Sequence, residues 1–244
     1  MKTLKKIEIV LILGTCVIKQ GLSNESPFGT STYYHGDTNQ KVVYLVFHDG
    51  PNPKFTSQIL DTLKKKNVKA SFFLIGKNVK KYPEIARRII SEGHLVGNHT
   101  YSHPHLERLN TDEIVKEILK CERIILKSTG VKPKFFAAPY CHSYTPQLHY
   151  IYTISKKCGY ININWSVDGE DWEDVGSQYV VKKIVNSVHN GSIILLHDGA
   201  TDSFQMKIRG QTIKALPKII DELKKRGFVF LLLDDLPFLE ENKL

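Results

Sequence analysis

"YLVFHDGPNP", Tyr44 to Pro53, is the stretch on which the reading of this 244-residue chain turns. Tyr44, Leu45, Val46 and Phe47 form an apolar run, His48 and Asp49 follow at once, and Gly50, Pro51 and Pro53 break the chain. A buried strand that stops on two titratable groups is how parallel α/β folds present chemistry, because their sites gather at the carboxyl ends of strands.

Six more apolar runs repeat the pattern. Strands are predicted at 42–47, 69–75, 94–98, 134–138, 160–164, 192–197 and 228–233, and helices near 55–66, 78–92, 111–128, 145–157, 177–188 and 211–226. The strands read as near-continuous hydrophobic segments, the signature of burial on both faces in a parallel sheet. Alternation with amphipathic helices implies an α/β barrel or a doubly wound sheet. The clearest helix, "NTDEIVKEILKCERIILK", has Asn110 placed to cap it and Glu113 three residues on, a capping-box spacing. No linker or internal repeat divides residues 41–240, which read as one domain.

The first 23 residues read differently. Lys2, Lys5 and Lys6 precede an apolar run from Ile9 to Ile18, then small and polar residues follow. That layout predicts a signal peptide, hence secretion or a cell-surface or wall location, with 24–40 as a lead-in to the domain. The run is too short for the ~20 residues of a membrane-spanning helix. The net charge of +9 is spread over lysines near helix ends, which argues against a nucleic-acid surface and is compatible with anionic wall or membrane components. Without the leader the chain keeps Cys121, Cys141 and Cys158. Three cysteines allow one disulfide or none, and no C-x-x-C metal pattern occurs. Sequons stand at Asn24, Asn98, Asn164 and Asn190; no glycan is expected at Asn98, inside the motif described next.

"NHTYSHPHL" places His99 and His103 four residues apart, followed by His105. Two such imidazoles with the Asp49 carboxylate make a three-ligand set that leaves positions open for water and substrate, the catalytic pattern for zinc. "INWSVDGEDW" carries Asp168, Asp171 and Trp172 past another strand, and "SIILLHDG" ends a strand on His197 and Asp198. In a barrel these groups would converge on one mouth.

Taken in order, "FHDG", "HTYSH", "AAPY", "DGEDW" and "LLH" resemble the five motifs of the polysaccharide deacetylases, the chitin deacetylase and nodulation-deacetylase homology group, over about residues 40–235. The resemblance implies a distorted (β/α) barrel of about seven strand–helix units. It implies removal of acetyl groups from N-acetylglucosamine polymers such as chitin or chitooligosaccharides, with zinc or another divalent metal. Position by position, it assigns Asp49, His99 and His103 to the metal, His197 to protonation of the leaving amine and Asp171 to orientation of that histidine. Trp172 and Leu195 would line the acetyl pocket, and the backbone at Tyr140 would help hold the oxyanion.

Two positions depart from the pattern. The family's general base is an aspartate immediately before the metal aspartate; here it is His48. The arginine that orients this base is replaced by Ala137. An arginine is favourable beside a carboxylate and repulsive beside an imidazole that protonates, so the two losses are coherent. The sequence therefore predicts weak or absent N-deacetylation. Non-catalytic glycan binding and O-deacetylation remain the alternative functions.

Overall fold

The computed structural model describes residues 32–141 and 145–237. The predicted leader, the lead-in up to residue 31, the sequon at Asn24 and the last residues of the predicted domain lie outside them.

Among the described residues, nine strands form one sheet in which every ladder is parallel: β1 (Thr32–Tyr33), β2 (Val42–Gly50), β3 (Ser71–Leu74), β4 (Leu95–Asn98), β5 (Phe135–Phe136), β6 (Ile161–Ile163), β7 (Val167–Asp168), β8 (Ser192–His197) and β9 (Val229–Leu231). Their order is β1-β6-β5-β4-β3-β2-β8-β7, with β9 also paired to β2. The sheet curls, and β1 and β7 at its two ends share no ladder, so this is a distorted, incompletely closed (β/α) barrel. The packed helices are α1 (Phe55–Lys66), α2 (Gly76–Lys81), α3 (Pro83–Ser91), α4 (Thr111–Thr129), α5 (Pro146–Lys157), α6 (Ser177–Ser187), α7 (Ser203–Ile208) and α8 (Gly210–Lys225).

All seven predicted strands are present. β1 and β7 were not predicted, since two residues are too few to show a pattern. The helix predicted at 78–92 is two helices. Pro83 opens α3, and Tyr82 before it has φ −131° and ψ 58°, outside the helical region as the residue before a proline prefers. The capping box of α4 forms as expected: the Glu113 amide donates to Asn110 Oδ1 and the Asn110 amide to Glu113 Oε2. Cys121, Cys141 and Cys158 are free thiols.

Strand parity decides what faces the barrel interior. Successive side chains leave opposite faces, and all nine residues of β2 are buried. Val43, Leu45 and Phe47 pack in the cluster that includes α1, α6 and α8 residues, whereas Val42, Tyr44 and Val46 pack in the lumen with Phe73, Phe135, Ile163, Ile193 and Leu195. His48 continues the lumen parity of β2, and His197 that of Ile193 and Leu195. β2 and β8 thus bring His48 and His197, paired in register, to one mouth.

Candidate active site

Asp49 leaves the strand register. Its φ is +74°, and the following Gly50–Pro51 peptide is cis. The turn is seated by close packing: a Cβ on Gly50 would run into the Asp198 carboxylate, and one on Gly199 into the Asp49 carbonyl. Asp49 Oδ1 lies 3.4 Å from His99 Nε2 and 3.2 Å from His103 Nε2. Among the described residues these three form the one group of this kind able to hold a metal ion.

The fit is good. Bonds of about 2.0 Å at tetrahedral angles place donor atoms about 3.3 Å apart, and one carboxylate with two imidazoles is a catalytic zinc-type set. His99 Nδ1 donates to the Ala137 carbonyl at 2.7 Å, which leaves the Nε2 lone pair facing the group. Burial, ahead of the opposing pull of Asp49, holds His99 below the ordinary histidine range, so it is neutral and ready to ligate. Ala137 thus supplies its backbone oxygen to the site although its side chain is only a methyl group.

His48 does not join that group. Its imidazole, buried, packs 4.5 Å from the His99 ring, 5.0 Å from Phe73, 5.9 Å from Trp165 and 6.0 Å from His197, centroid to centroid. Nε2 is buried without a hydrogen-bond partner among the described residues. Burial first, then His99 and His197, push its pKa well below the ordinary value. The ring is neutral, and its surroundings oppose protonation.

His197, half-buried, and Asp171, fully buried, meet as a dyad. His197 Nδ1 donates to Asp171 Oδ1 at 2.7 Å, and the His197 amide donates to Oδ2 at 3.0 Å. Burial disfavours both charges. Asp171 nonetheless raises the imidazole, and His197 with Arg209 and Thr212 lowers the carboxyl. The dyad therefore favours imidazolium and carboxylate, the state of a proton donor.

The remaining predicted residues sit less uniformly. Tyr140, 44% exposed and at φ +59°, has its ring 4.6 Å from His103 and stacked on His105 at 3.9 Å. Leu195 is buried in the lumen two residues below His197. Trp172 directs its indole N–H to Asp168 Oδ2 at 3.4 Å. Asp168, at the end of β7 opposite Leu195, also accepts from the Glu170 amide, so its carboxylate ties down the loop that carries Asp171. Asn98 is fully buried, donating to the Ile118 carbonyl and Tyr160 Oη, which closes it to a glycan.

Several contributors were not read from the sequence. Phe73 and Trp165 wall His48, and Arg209, Gln211 and Thr212 surround Asp171 from the α7–α8 junction. Their sequence context, an apolar run, a loop and a helix start, carries no chemical signal.

Curled parallel strands bring an Asp-His-His group that could hold a metal ion and a His-Asp dyad to one end of the barrel. The profile of the polysaccharide deacetylases matches residues 35–162, and the chain belongs to that family. It is 40% identical over 200 residues to a peptidoglycan-N-acetylglucosamine deacetylase of Bacillus cereus, covering 82% of this chain and 70% of that one. It is 37% identical over 210 residues to a chitooligosaccharide deacetylase of a Bradyrhizobium species, covering 82% and 93%. The crystal structure of BA3943, a family pseudoenzyme from Bacillus anthracis, superposes with a TM-score of 0.75 at 30% identity over 85% of this chain and 69% of that one. A BA3943 mutant with restored enzymatic activity gives 0.74.

Proposed function

We propose that this protein is a secreted member of the family directed at chitin-type N-acetylglucosamine polymers, with its metal group and proton donor kept and its general-base half replaced, so that N-deacetylation is weak or absent. The observation that carries the reading is His48. At the place of the family's base stands a buried imidazole whose surroundings resist the very proton a base must accept. Proton transfer by a positioned base contributes about 10²–10⁴-fold, and the guanidinium that orients it in the family has given way to Ala137. A pseudoenzyme with this fold is known in BA3943, which supports the reading.

Asp49, His99 and His103 would hold zinc or another divalent ion. When bound, it would supply Lewis-acid polarisation of the acetyl carbonyl and acidify a water. His197, oriented by Asp171, would give a proton to the departing amine, Leu195 and Trp172 would bound the acetyl group, and Tyr140 would offer its backbone N–H to the oxyanion.

The exposed Tyr140 ring beside the metal group favours a second reading, retention of the groove for glycan recognition. Acetate release from acetylated chitooligosaccharides with added zinc, measured alongside oligomer binding, tests both. Binding without acetate release supports recognition. Release from acetyl esters alone supports an O-deacetylase, and turnover typical of the family refutes the main proposal.

A further inference from the structure

Arg209, at the α7–α8 junction, is fully buried. Its Nη1 donates to the Asp171 carbonyl at 3.2 Å and to Asp171 Oδ2 at 3.4 Å. Nε and Nη2, equally buried, have no protein partner among the described residues. Thr212 Oγ1 donates to the same Oδ2 at 2.5 Å, and Gln211 Nε2 to the Asp171 carbonyl at 2.9 Å. Three neighbouring residues at the start of α8 therefore converge on one aspartate, which in turn holds His197.

A guanidinium with two unmet donors is a poor way to stabilise a core. An uncompensated buried charge is costly, and an apolar side chain of similar volume commonly does as well or better. What such a chain would not provide is a fixed positive charge beside Asp171.

We propose that Arg209 is a positioning residue for the proton-donor dyad, which with Thr212 keeps Asp171 ionised and aimed at His197 Nδ1. Among the described residues, the charged and titratable groups that act on the dyad include His48 and Asp49 from the end of β2, Asp198 next to His197 at the end of β8, and Arg209 itself. Arg209 is the one permanent cation among them. Opposite charge at this range lowers a carboxyl pKa by about 1–3 units, so its loss lets Asp171 take up a proton at higher pH and releases the imidazole. The catalytic consequence rests on the reading of His197 as proton donor. The arrangement itself does not depend on turnover.

The test is the low-field proton NMR resonance of the His197 Nδ1–H, assigned by its disappearance in His197→Gln. Arg209→Met is expected to raise the pH at which the resonance is lost on acidification by about one unit or more, or to abolish it through exchange with water. Thr212→Val should weaken it in the same direction and Thr212→Ser should restore it, a rescue that packing alone would not give. If Arg209→Met does not fold, the two Thr212 variants decide. A folded Arg209→Met or Thr212→Val protein with the resonance and its acid limit unchanged overturns the proposal. Failure to bind or deacetylate glycans, with the resonance behaving as stated, counts against the proposed function alone.

Discussion

The rings of His48 and His99 lie 4.5 Å apart, centroid to centroid, one on the lumen parity of β2 and the other one residue beyond β4. Two imidazoles this close cannot both be charged at modest cost, and His99 is needed neutral for metal. Burial first, with His99 and His197 acting in the same direction, keeps His48 a neutral wall of the site.

Under the proposed function, restoring the family's base requires both halves of it. His48→Asp alone sets a second carboxylate next to buried Asp49, and like charges raise each other's pKa. Ala137→Arg alone places an unpaired guanidinium in a lumen packed by Val46, Phe73 and Leu195. Neither single variant is expected to release acetate from chitooligosaccharides, and the double variant should exceed the wild type by about 10²-fold or more. Full recovery in His48→Asp alone would contradict this pairing.

Metal binding should depend on Asp49, His99 and His103. Isothermal titration with zinc is expected to show one site, with affinity reduced at least ~10²-fold in Asp49→Asn. At 100-fold excess over Kd, zinc should stabilise the wild type by about 2.7 kcal/mol. Because burial keeps His99 neutral below its ordinary range, protons should not displace zinc from it until the pH falls below about 6.5. Unchanged affinity in Asp49→Asn would remove the site.

Gly199 tests the seating of the Asp49 turn. A methyl group there meets the Asp49 carbonyl, part of the backbone, which has nowhere to move. Gly199→Ala should cost more than the ~1–3 kcal/mol of ordinary overpacking and should lower zinc affinity in whatever fraction remains folded. Thermal unfolding and zinc titration of the variant check both effects.

Asp198 gives stability an unusual pH slope. Burial, against a 2.6 Å hydrogen bond from Thr56 Oγ1, raises its pKa to about 7. The folded protein therefore holds a proton that the unfolded chain has released above about 4, so this group's contribution declines as pH rises from about 4 to about 7. Asp198→Asn keeps the Thr56 contact and removes the titration. It should flatten the slope, with a gain at pH 8 relative to pH 5 of about 2.6 kcal/mol at most. Parallel pH profiles for both proteins would contradict the buried-acid account.

The parts of the molecule that were legible in sequence share a physical cause. Continuous apolar runs encode parallel strands buried on both faces, and period-two placement carries His48 and His197 to the mouth. The Asn110 cap was readable because capping is local. What escaped reading was non-local. Trp165 and Phe73 become walls of His48 only once β3, β6 and β2 curl together, and Arg209 becomes part of the dyad only when the α7–α8 junction folds under Asp171.

Acetate released by the zinc-loaded wild-type protein from acetylated chitooligosaccharides is the most direct measurement of the central claim. The account predicts release at least ~10²-fold below that of a relative with an aspartate at position 48 and an arginine at position 137, under the same conditions. Equal release would show that His48, buried and disinclined to protonate as it is, performs the base's work.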